Sequence, residues 1–200
     1  LYGGTNNDNS NNLANFEFRL RIPFLRNTEI YGEDTFEDLP SAESYLAGIY
    51  VPRLTGSGRD DLRFEYFRGH NILYTNATFP EGYIYHGLPL GHPEGGATEE
   101  FFVRYGHWFA VRTKLALDYY YRTRGTFGRL PLNSSGQVDL NGTLQAVERT
   151  NGLRVWWNMP VVGRIDAECM YGWERVKNFD LVGGMNKTNQ LVKVDLTYRF

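Results

Sequence analysis

The sequence predicts an all-β chain, part of an antiparallel up-and-down transmembrane β-barrel, with about nine strands in its 200 residues. Three observations predict it. Apolar residues recur at every second position through most of the chain. The connections between the alternating stretches sort by length, long at one end and short at the other. The chain closes on an alternating strand whose apolar face ends in aromatic side chains.

That closing strand is the clearest. In LVKVDLTYRF, residues 191–200, Val192, Val194, Leu196, Tyr198 and Phe200 fall on one face, and Lys193, Asp195 and Arg199 fall on the other. A period of two means a strand with unlike faces. A terminal Tyr-x-Phe on such a strand resembles the closing signature of bacterial outer-membrane barrels. The resemblance implies that Tyr198 and Phe200 are read by the outer-membrane insertion machinery, with Phe200 at the periplasmic rim.

Earlier strands follow the same rule. Phe16, Phe18, Leu20 and Ile22 alternate with Asn15, Glu17, Arg19 and Arg21. Two arginines on one face cannot sit unpaired in a dry core, but they can face a watery lumen. Residues 27–36 form a weaker strand with Glu29, Tyr31 and Glu33 together. Tyr45, Ala47, Ile49 and Val51 form the next apolar face, and Leu62, Phe64 and Tyr66 the one after, opposite Asp61, Arg63 and Glu65. Phe101, Val103, Tyr105 and Phe109 share a face that His107 interrupts. Leu115, Leu117, Tyr119 and Tyr121 follow, then Leu153, Val155, Trp157 and Met159, then Ile165, Ala167, Cys169, Tyr171 and Trp173. Leu115, Leu117, Tyr119, Leu153, Val155, Trp157, Val194, Leu196 and Tyr198 are expected to face lipid.

If Phe200 is periplasmic, the connections alternate outside and inside. The outer set is 1–13, 37–42, 69–97, 125–151 and 176–189; the inner set is 23–25, 53–59, the turn near Ala110 and 160–163. Every inner connection is short and the longest ones are all outside, the asymmetry of outer-membrane barrels. An uneven strand count and a start inside an outer connection lead to a further expectation. Residues 1–200 are the C-terminal part of one barrel domain, with N-terminal strands and a signal peptide of a longer parent absent.

Composition narrows the classes further. Aromatic residues make up 16% and Gly numbers 22, which suits aromatic girdles and polar loops. No apolar run approaches the ~18 residues of a membrane helix, and mean hydropathy is -0.46. The net charge of -2 gives no basic field for nucleic acid. The single Cys169 allows no internal disulfide.

Residues 59–96 carry the most individual pattern: LRFEY at 62–66, GYIYHG at 82–87 and LPLGHPEGG at 88–96. With FEFRLRIP upstream, the acidic Tyr31-Gly32-Glu33-Asp34 and the aromatic ending, this resembles the capsule assembly Wzi family. The family pattern is an R-x-E-Y strand, a Tyr-rich segment and a G-x-x-LGHxxG element. The resemblance covers most of residues 14–110 and, more weakly, the rest. It implies a large outer-membrane barrel with about twice as many strands as this chain supplies. It further implies a lectin-like, non-catalytic role in attaching or organising capsular or surface polysaccharide.

The residues themselves permit such a role. Tyr83 and Tyr85 offer flat faces for pyranose rings and hydroxyls for hydrogen bonds. The glycines around them permit close backbone approach. Arg63, Glu65, Tyr83, Tyr85, His86 and His92 are the candidate residues, either for polysaccharide contact or for a loop that plugs the lumen. The 69–97 segment is expected to fold over or into the lumen, because Ile72, Leu73, Phe79, Ile84, Leu88 and Leu90 need cover. Asp61, Arg63 and Glu65 read equally as a ladder of cross-strand ion pairs.

Catalysis and cofactors find no footing. His70, His86 and His92 match no metal-ligand spacing, so no metal or cofactor is expected. Asp60/Asp61 and Glu99/Glu100 are adjacent on strands and point to opposite faces, so neither forms an acid/base pair. No GxSxG elbow is present. Two functions share the barrel. One is a polysaccharide-anchoring barrel and the other a porin or substrate-specific channel, and the fate of the 69–97 segment separates them.

Overall fold

The computed structural model describes residues 13–37, 42–70, 73, 84–85, 88–89, 96–125 and 146–199. In chain order the strands are β1 Leu13–Ile22, β2 Thr28–Glu37, β3 Ala42–Val51, β4 Asp60–Gly69, β5 Ile84–Tyr85, β6 Leu88–Pro89, β7 Thr98–Ala110, β8 Thr113–Arg124, β9 Glu148–Val162, β10 Ile165–Lys177 and β11 Asn186–Tyr198. Nine of them form one sheet in the order β1-β2-β3-β4-β7-β8-β9-β10-β11, every pair antiparallel. β5 and β6 make a separate two-residue hairpin. The expected meander of about nine strands is therefore present. Its order is linear, so β1 and β11 are the two edges.

The connections sort as the alternation requires. Residues 23–27, 52–59, 111–112 and 163–164 turn at one end of the sheet. Residues 38–41, 70–97, 125–147 and 178–185 connect at the other. Several boundaries move. β11 begins at Asn186 rather than Leu191, because Asn186 to Gln190 is polar on both faces and shows no period. β9 starts at Glu148, inside the stretch expected as loop, for the same reason. The turn expected over 160–163 shrinks to Gly163 and Arg164. β9 runs on through Pro160 to Val162, where a register shift opposite Ile165 and Asp166 accommodates a residue that cannot donate to the ladder. Gly163 takes a φ of +52 there, which glycine adopts without a Cβ clash.

Register assigns each side chain to a face. Leu20, Ile30, Ile49, Phe64, Val103, Tyr119 and Leu153 lie in one row, each directly opposite the next. This face is apolar and open. Leu117, Tyr119, Leu153, Val155, Trp157, Val194, Leu196 and Tyr198 are exposed on it, and Leu115 is half-buried. No dry core gathers them. At the long-connection end the face carries an aromatic cluster, Tyr45 against Tyr66 at 5.7 Å and Tyr66 against Phe101 at 4.7 Å between ring centroids. From Asp60 to Arg68 on β4, the apolar band spans about 27 Å along the strand at the usual rise.

Asp60 closes that band at the short-turn end. Its carboxylate accepts hydrogen bonds from the Tyr105 hydroxyl at 2.6 Å, from Thr55 and from Ser57 at 3.3 Å, and meets His107 Nδ1 at 2.6 Å. Leu54 N donates to the Asp60 carbonyl at 2.8 Å, and Trp108 N to the Arg59 carbonyl at 2.8 Å. The 52–59 turn is thereby held against β7. Asp60→Ala is expected to release the turn, so that trypsin cuts after Arg53 and Arg59 several times faster in the folded protein. Unchanged cleavage would show that the backbone bonds suffice.

Candidate functional site

The opposite face of the sheet collects the polar side chains, and it is built in rows. The row nearest the short turns places Asp61, Gly106, Ala116, Trp156, Met170 and Lys193 in line. Lys114 Nζ reaches across Gly106 to Asp61 at 2.7 Å. Asp61 and Asp60 thus face opposite ways, as their adjacency on one strand requires.

The next row runs Tyr50, Arg63, Arg104, Asp118, Arg154 and Gly172. Asp118 has no exposure to solvent. Arg104 meets it with two bonds, Nε to Oδ1 at 2.6 Å and Nη2 to Oδ2 at 2.7 Å, and Trp156 Nε1 donates to Oδ2 at 2.7 Å. The Arg104 guanidinium also lies over the Trp156 ring at 5.5 Å and the Phe102 ring at 5.7 Å. A buried carboxylate persists only with such partners.

The third row is the most instructive: Arg19, Tyr31, Gly48, Glu65, Phe102, Tyr120, Gly152, Glu174 and Asn189. Within it one arrangement occurs twice. Tyr31 lies flat over Gly48 on the next strand and donates its hydroxyl to Glu65 on the strand beyond. Tyr120 lies over Gly152 and donates to Glu174 Oε2 at 2.8 Å. A Cβ at Gly48 would clash severely with Tyr31 Cζ, and one at Gly152 with Tyr120 Cζ. Each tyrosine thus ties three strands together. Arginines stack on the same rings, Arg19 on Tyr31 at 5.8 Å and Arg154 on Tyr120 at 4.5 Å. Asn189 Nδ2 completes Glu174 with a bond to Oε1 at 2.6 Å.

Arg63 and Glu65 are therefore side by side on this face, 3.7 Å apart, with Arg63 also over the Tyr50 ring at 5.2 Å. The expected ladder of cross-strand pairs through Asp61, Arg63 and Glu65 is only partly what the fold builds. Arg63 pairs along its own strand, Glu65 serves Tyr31 two strands away, and Asp61 takes Lys114. Of the other candidates, Tyr83, His86, His92 and Phe200 lie outside the described residues. For Tyr85 only its place in the β5–β6 hairpin is described. Tyr198 stands opposite Ile165 on the apolar face.

Both ends of the 70–97 connection are anchored. His70 N donates to Ser44 Oγ at 2.8 Å, and Leu73 N and Ala97 N each donate to the His70 carbonyl at 3.1 Å. Gly125 N continues to the Ala97 carbonyl at 2.8 Å. Leu73 is 1% exposed, so this apolar residue of the loop finds cover. Burial, with the Arg68 charge behind it, pushes the His70 imidazole below its ordinary pKa. The 178–185 connection is also pinned: Asn178 Nδ2 donates to the Val147 carbonyl at 2.9 Å, Asp180 N to Glu148 at 2.7 Å, and Leu181 is buried in a short 3₁₀ turn, Phe179–Leu181.

Chemically, this face offers stacked arginine and aromatic planes and carboxylates already engaged by hydroxyls. Such groups suit a hydroxyl-rich ligand at their exposed margins, where Arg63 keeps 41% of its side chain accessible. Among the described residues no group of His, Cys, Asp and Glu is arranged to hold a metal ion. Tyr31, Tyr120, Arg154 and Glu174 were not singled out by alternation alone. The signal that marks them is a glycine on the charged face of a strand, which indicates close approach of another side chain.

Two stability predictions follow from the packing. Gly152→Ala should cost about 2 kcal/mol, the scale of overpacking, whereas Gly172→Ala should be tolerated because its Cβ would meet nothing closer than Met170 Sδ at 3.5 Å. Thermal unfolding of the detergent-solubilised protein distinguishes them, and equal midpoints would contradict the packing. Asp118→Ala leaves Arg104 without its partner. Arg104 is a third exposed, so the loss should fall near the low end of the range for broken buried pairs, roughly 3 kcal/mol. A change within 0.5 kcal/mol, the scale of neutral surface substitutions, would contradict it.

Comparison with known proteins agrees with this architecture. The family model for capsule assembly protein Wzi matches residues 2–191. A search of curated proteins finds no match. Among solved structures, the chain is similar to Wzi of Escherichia coli, described as an outer-membrane protein involved in group 1 capsule assembly and as a carbohydrate-binding β-barrel. The TM-score is 0.63 at 21% identity, and the match covers 94% of this chain but 40% of that one. The fold is shared, and this chain spans less than half the length of that structure. With the family model matched over almost the whole of it, the chain belongs to the capsule assembly protein Wzi family.

Proposed function

We propose that this chain forms part of an outer-membrane β-barrel that anchors or organises capsular or surface polysaccharide at the bacterial cell surface without catalysing a reaction. One observation carries the reading: a nine-stranded sheet with one apolar and one charged face, its long connections all at one end, in a Wzi-family chain. An open apolar face on strands of 10 to 15 residues suits a bilayer. The charged face suits a watery lumen. The edges of β1 and β11 carry unpaired backbone that lipid does not tolerate. Further strands of a longer parent closing the sheet would satisfy them, and the 40% coverage of the E. coli structure supports that closure.

Polysaccharide is placed at the long-connection end. The 70–97 segment carries the Tyr- and Gly-rich motifs, and its two ends are anchored through Ser44, His70 and Ala97. In this reading Tyr83, Tyr85, His86 and His92 are the residues that contact the glycan, and the segment that carries them restricts passage through the barrel. Deleting residues 71–96 from the full-length protein should raise single-channel conductance and reduce retained capsule severalfold. A large conductance in the intact protein, with capsule unaffected by the deletion, would favour a porin or substrate-specific channel instead.

The terminal strand supplies the assembly signal. Tyr198→Ala combined with Phe200→Ala should lower the outer-membrane level of the full-length protein several-fold at unchanged synthesis. An unchanged level would remove the insertion machinery as a partner of these residues.

A further inference from the structure

The four short turns share a composition that the barrel and its proposed glycan role leave unused. Residues 23–27, 52–59, 111–112 and 163–164 contain Arg26, Arg53, Arg59, Arg112 and Arg164, with at least one arginine in every turn and no acidic residue in any. Arg199 follows β11 at the same end, its backbone N bonded to the Arg164 carbonyl at 3.0 Å. The acids nearby are already engaged. Asp60 is held by Thr55, Tyr105 and His107, Asp61 by Lys114, and Asp166 is shared by Arg112 and Arg199. Arg26 is turned to the Leu54 carbonyl. Arg53, Arg59 and Arg164 are exposed, and among the described residues none of the three is in an ion pair.

Apolar tips stand between these cations. Phe24 is 92% and Val111 93% exposed, and Val161, Val162 and Phe109 are exposed beside them. An open groove of about 580 Å³ lies between the first two turns, lined by Phe24, Arg26, Arg53 and Thr55 among others. The turns join strands 1–2, 3–4, 7–8 and 9–10 of a sheet with linear order, so neighbouring turns repeat about every 10 Å at the usual strand spacing.

We propose that this rim binds the phosphates of anionic phospholipid head groups in the leaflet that the short turns face. The inference rests on the membrane reading of the sheet. A guanidinium takes a phosphate in a bidentate, charge-assisted pair. Alternating apolar tips and cations seat the tips at the acyl boundary and the guanidiniums at the phosphates. Two observations favour a leaflet over a soluble anion or an acidic protein: an arginine in each of the four turns, and exposed apolar side chains in or beside those turns. The cations are spread from turn to turn rather than gathered at one point, and Phe24, Val111, Val161 and Val162 are exposed among them. The rim sets how deep the barrel sits and which lipids surround its lower edge.

The test uses the full-length protein and an Arg53→Gln, Arg59→Gln, Arg164→Gln triple variant, which leaves Arg112 and Arg199 on Asp166. An Arg→Lys triple variant controls for folding, because it keeps charge at the same exposed positions. Vesicle flotation on neutral phosphatidylcholine first reads membrane insertion. Native mass spectrometry of detergent-solubilised protein then reads bound phosphatidylglycerol against phosphatidylcholine. Near an anionic surface each arginine contributes roughly fivefold. The native protein should therefore prefer phosphatidylglycerol, the glutamine variant should lose that preference by about tenfold or more, and the lysine variant should retain part of it. Flotation with no lipid preference, or a preference equal in the native and glutamine proteins, overturns the rim alone. Displacement of phosphatidylglycerol by millimolar inorganic phosphate overturns it in favour of a free-anion site. Failure of the native protein to float on phosphatidylcholine vesicles overturns the membrane reading and the rim together.

Discussion

Strand register is the constraint on which everything else in this sheet depends. Side chains alternate with a period of two, so a strand that slipped by one residue would send its charged-face side chains to the apolar face and its apolar ones to the charged face. Hydrogen bonds along a strand do not by themselves forbid such a slip. The tyrosines do. Tyr31 reaches Glu65 only while Gly48 lies between them, and Tyr120 reaches Glu174 only across Gly152. Each contact spans three strands and would be lost in any other register. Asp118 adds a third lock, since its burial is tolerable only with Arg104 and Trp156 in place.

From that constraint the two faces acquire separate tasks. The charged face is largely engaged with itself, arginine on aromatic ring and carboxylate on hydroxyl, so it stiffens the wall more than it offers free groups. Binding capacity then shifts toward the connections, which are long at one end only. The wall holds both ends of the 70–97 segment through Ser44, His70, Ala97 and Gly125. At the opposite end the turns are short, and Asp60 clamps the longest of them to β7. A rigid wall with an elaborated rim at one end is the arrangement that the proposed polysaccharide role calls for.

Much of this was legible in the sequence. The strands over Phe16 to Ile22, Leu115 to Tyr121 and Leu153 to Met159 follow from alternation alone, and the sorting of connections follows from the direction of the last strand. The strand ends were not legible. Asn186 to Gln190 is polar on both faces, so its membership of β11 is decided by pairing with Trp173 to Lys177 and not by any local pattern. Pro160 reads as a turn residue, and only the register shift opposite it lets β9 continue. The Tyr–Gly–Glu spans were hidden for a different reason. Their members are separated by tens of residues and meet only once three strands are in register. Arg63 and Glu65 are neighbours on the charged face, but their partners Tyr50 and Tyr31 come from other strands and meet them only through register. Tyr83, His86 and His92 rest on motif and chemistry alone.

The central claim is that one face of this sheet meets lipid and the other meets water. Spin labels placed singly at residues 115–121 and 153–157 of the full-length protein in a bilayer test it most directly, through collision with oxygen and with a water-soluble nickel complex. Labels at Leu115, Leu117, Tyr119, Tyr121, Leu153, Val155 and Trp157 are expected to favour oxygen. Those at Ala116, Asp118, Tyr120, Arg154 and Trp156 are expected to be shielded from oxygen, with the nickel complex reaching only those near the open lumen. Accessibility without a period of two, or a nickel signal on the apolar face, would contradict the account.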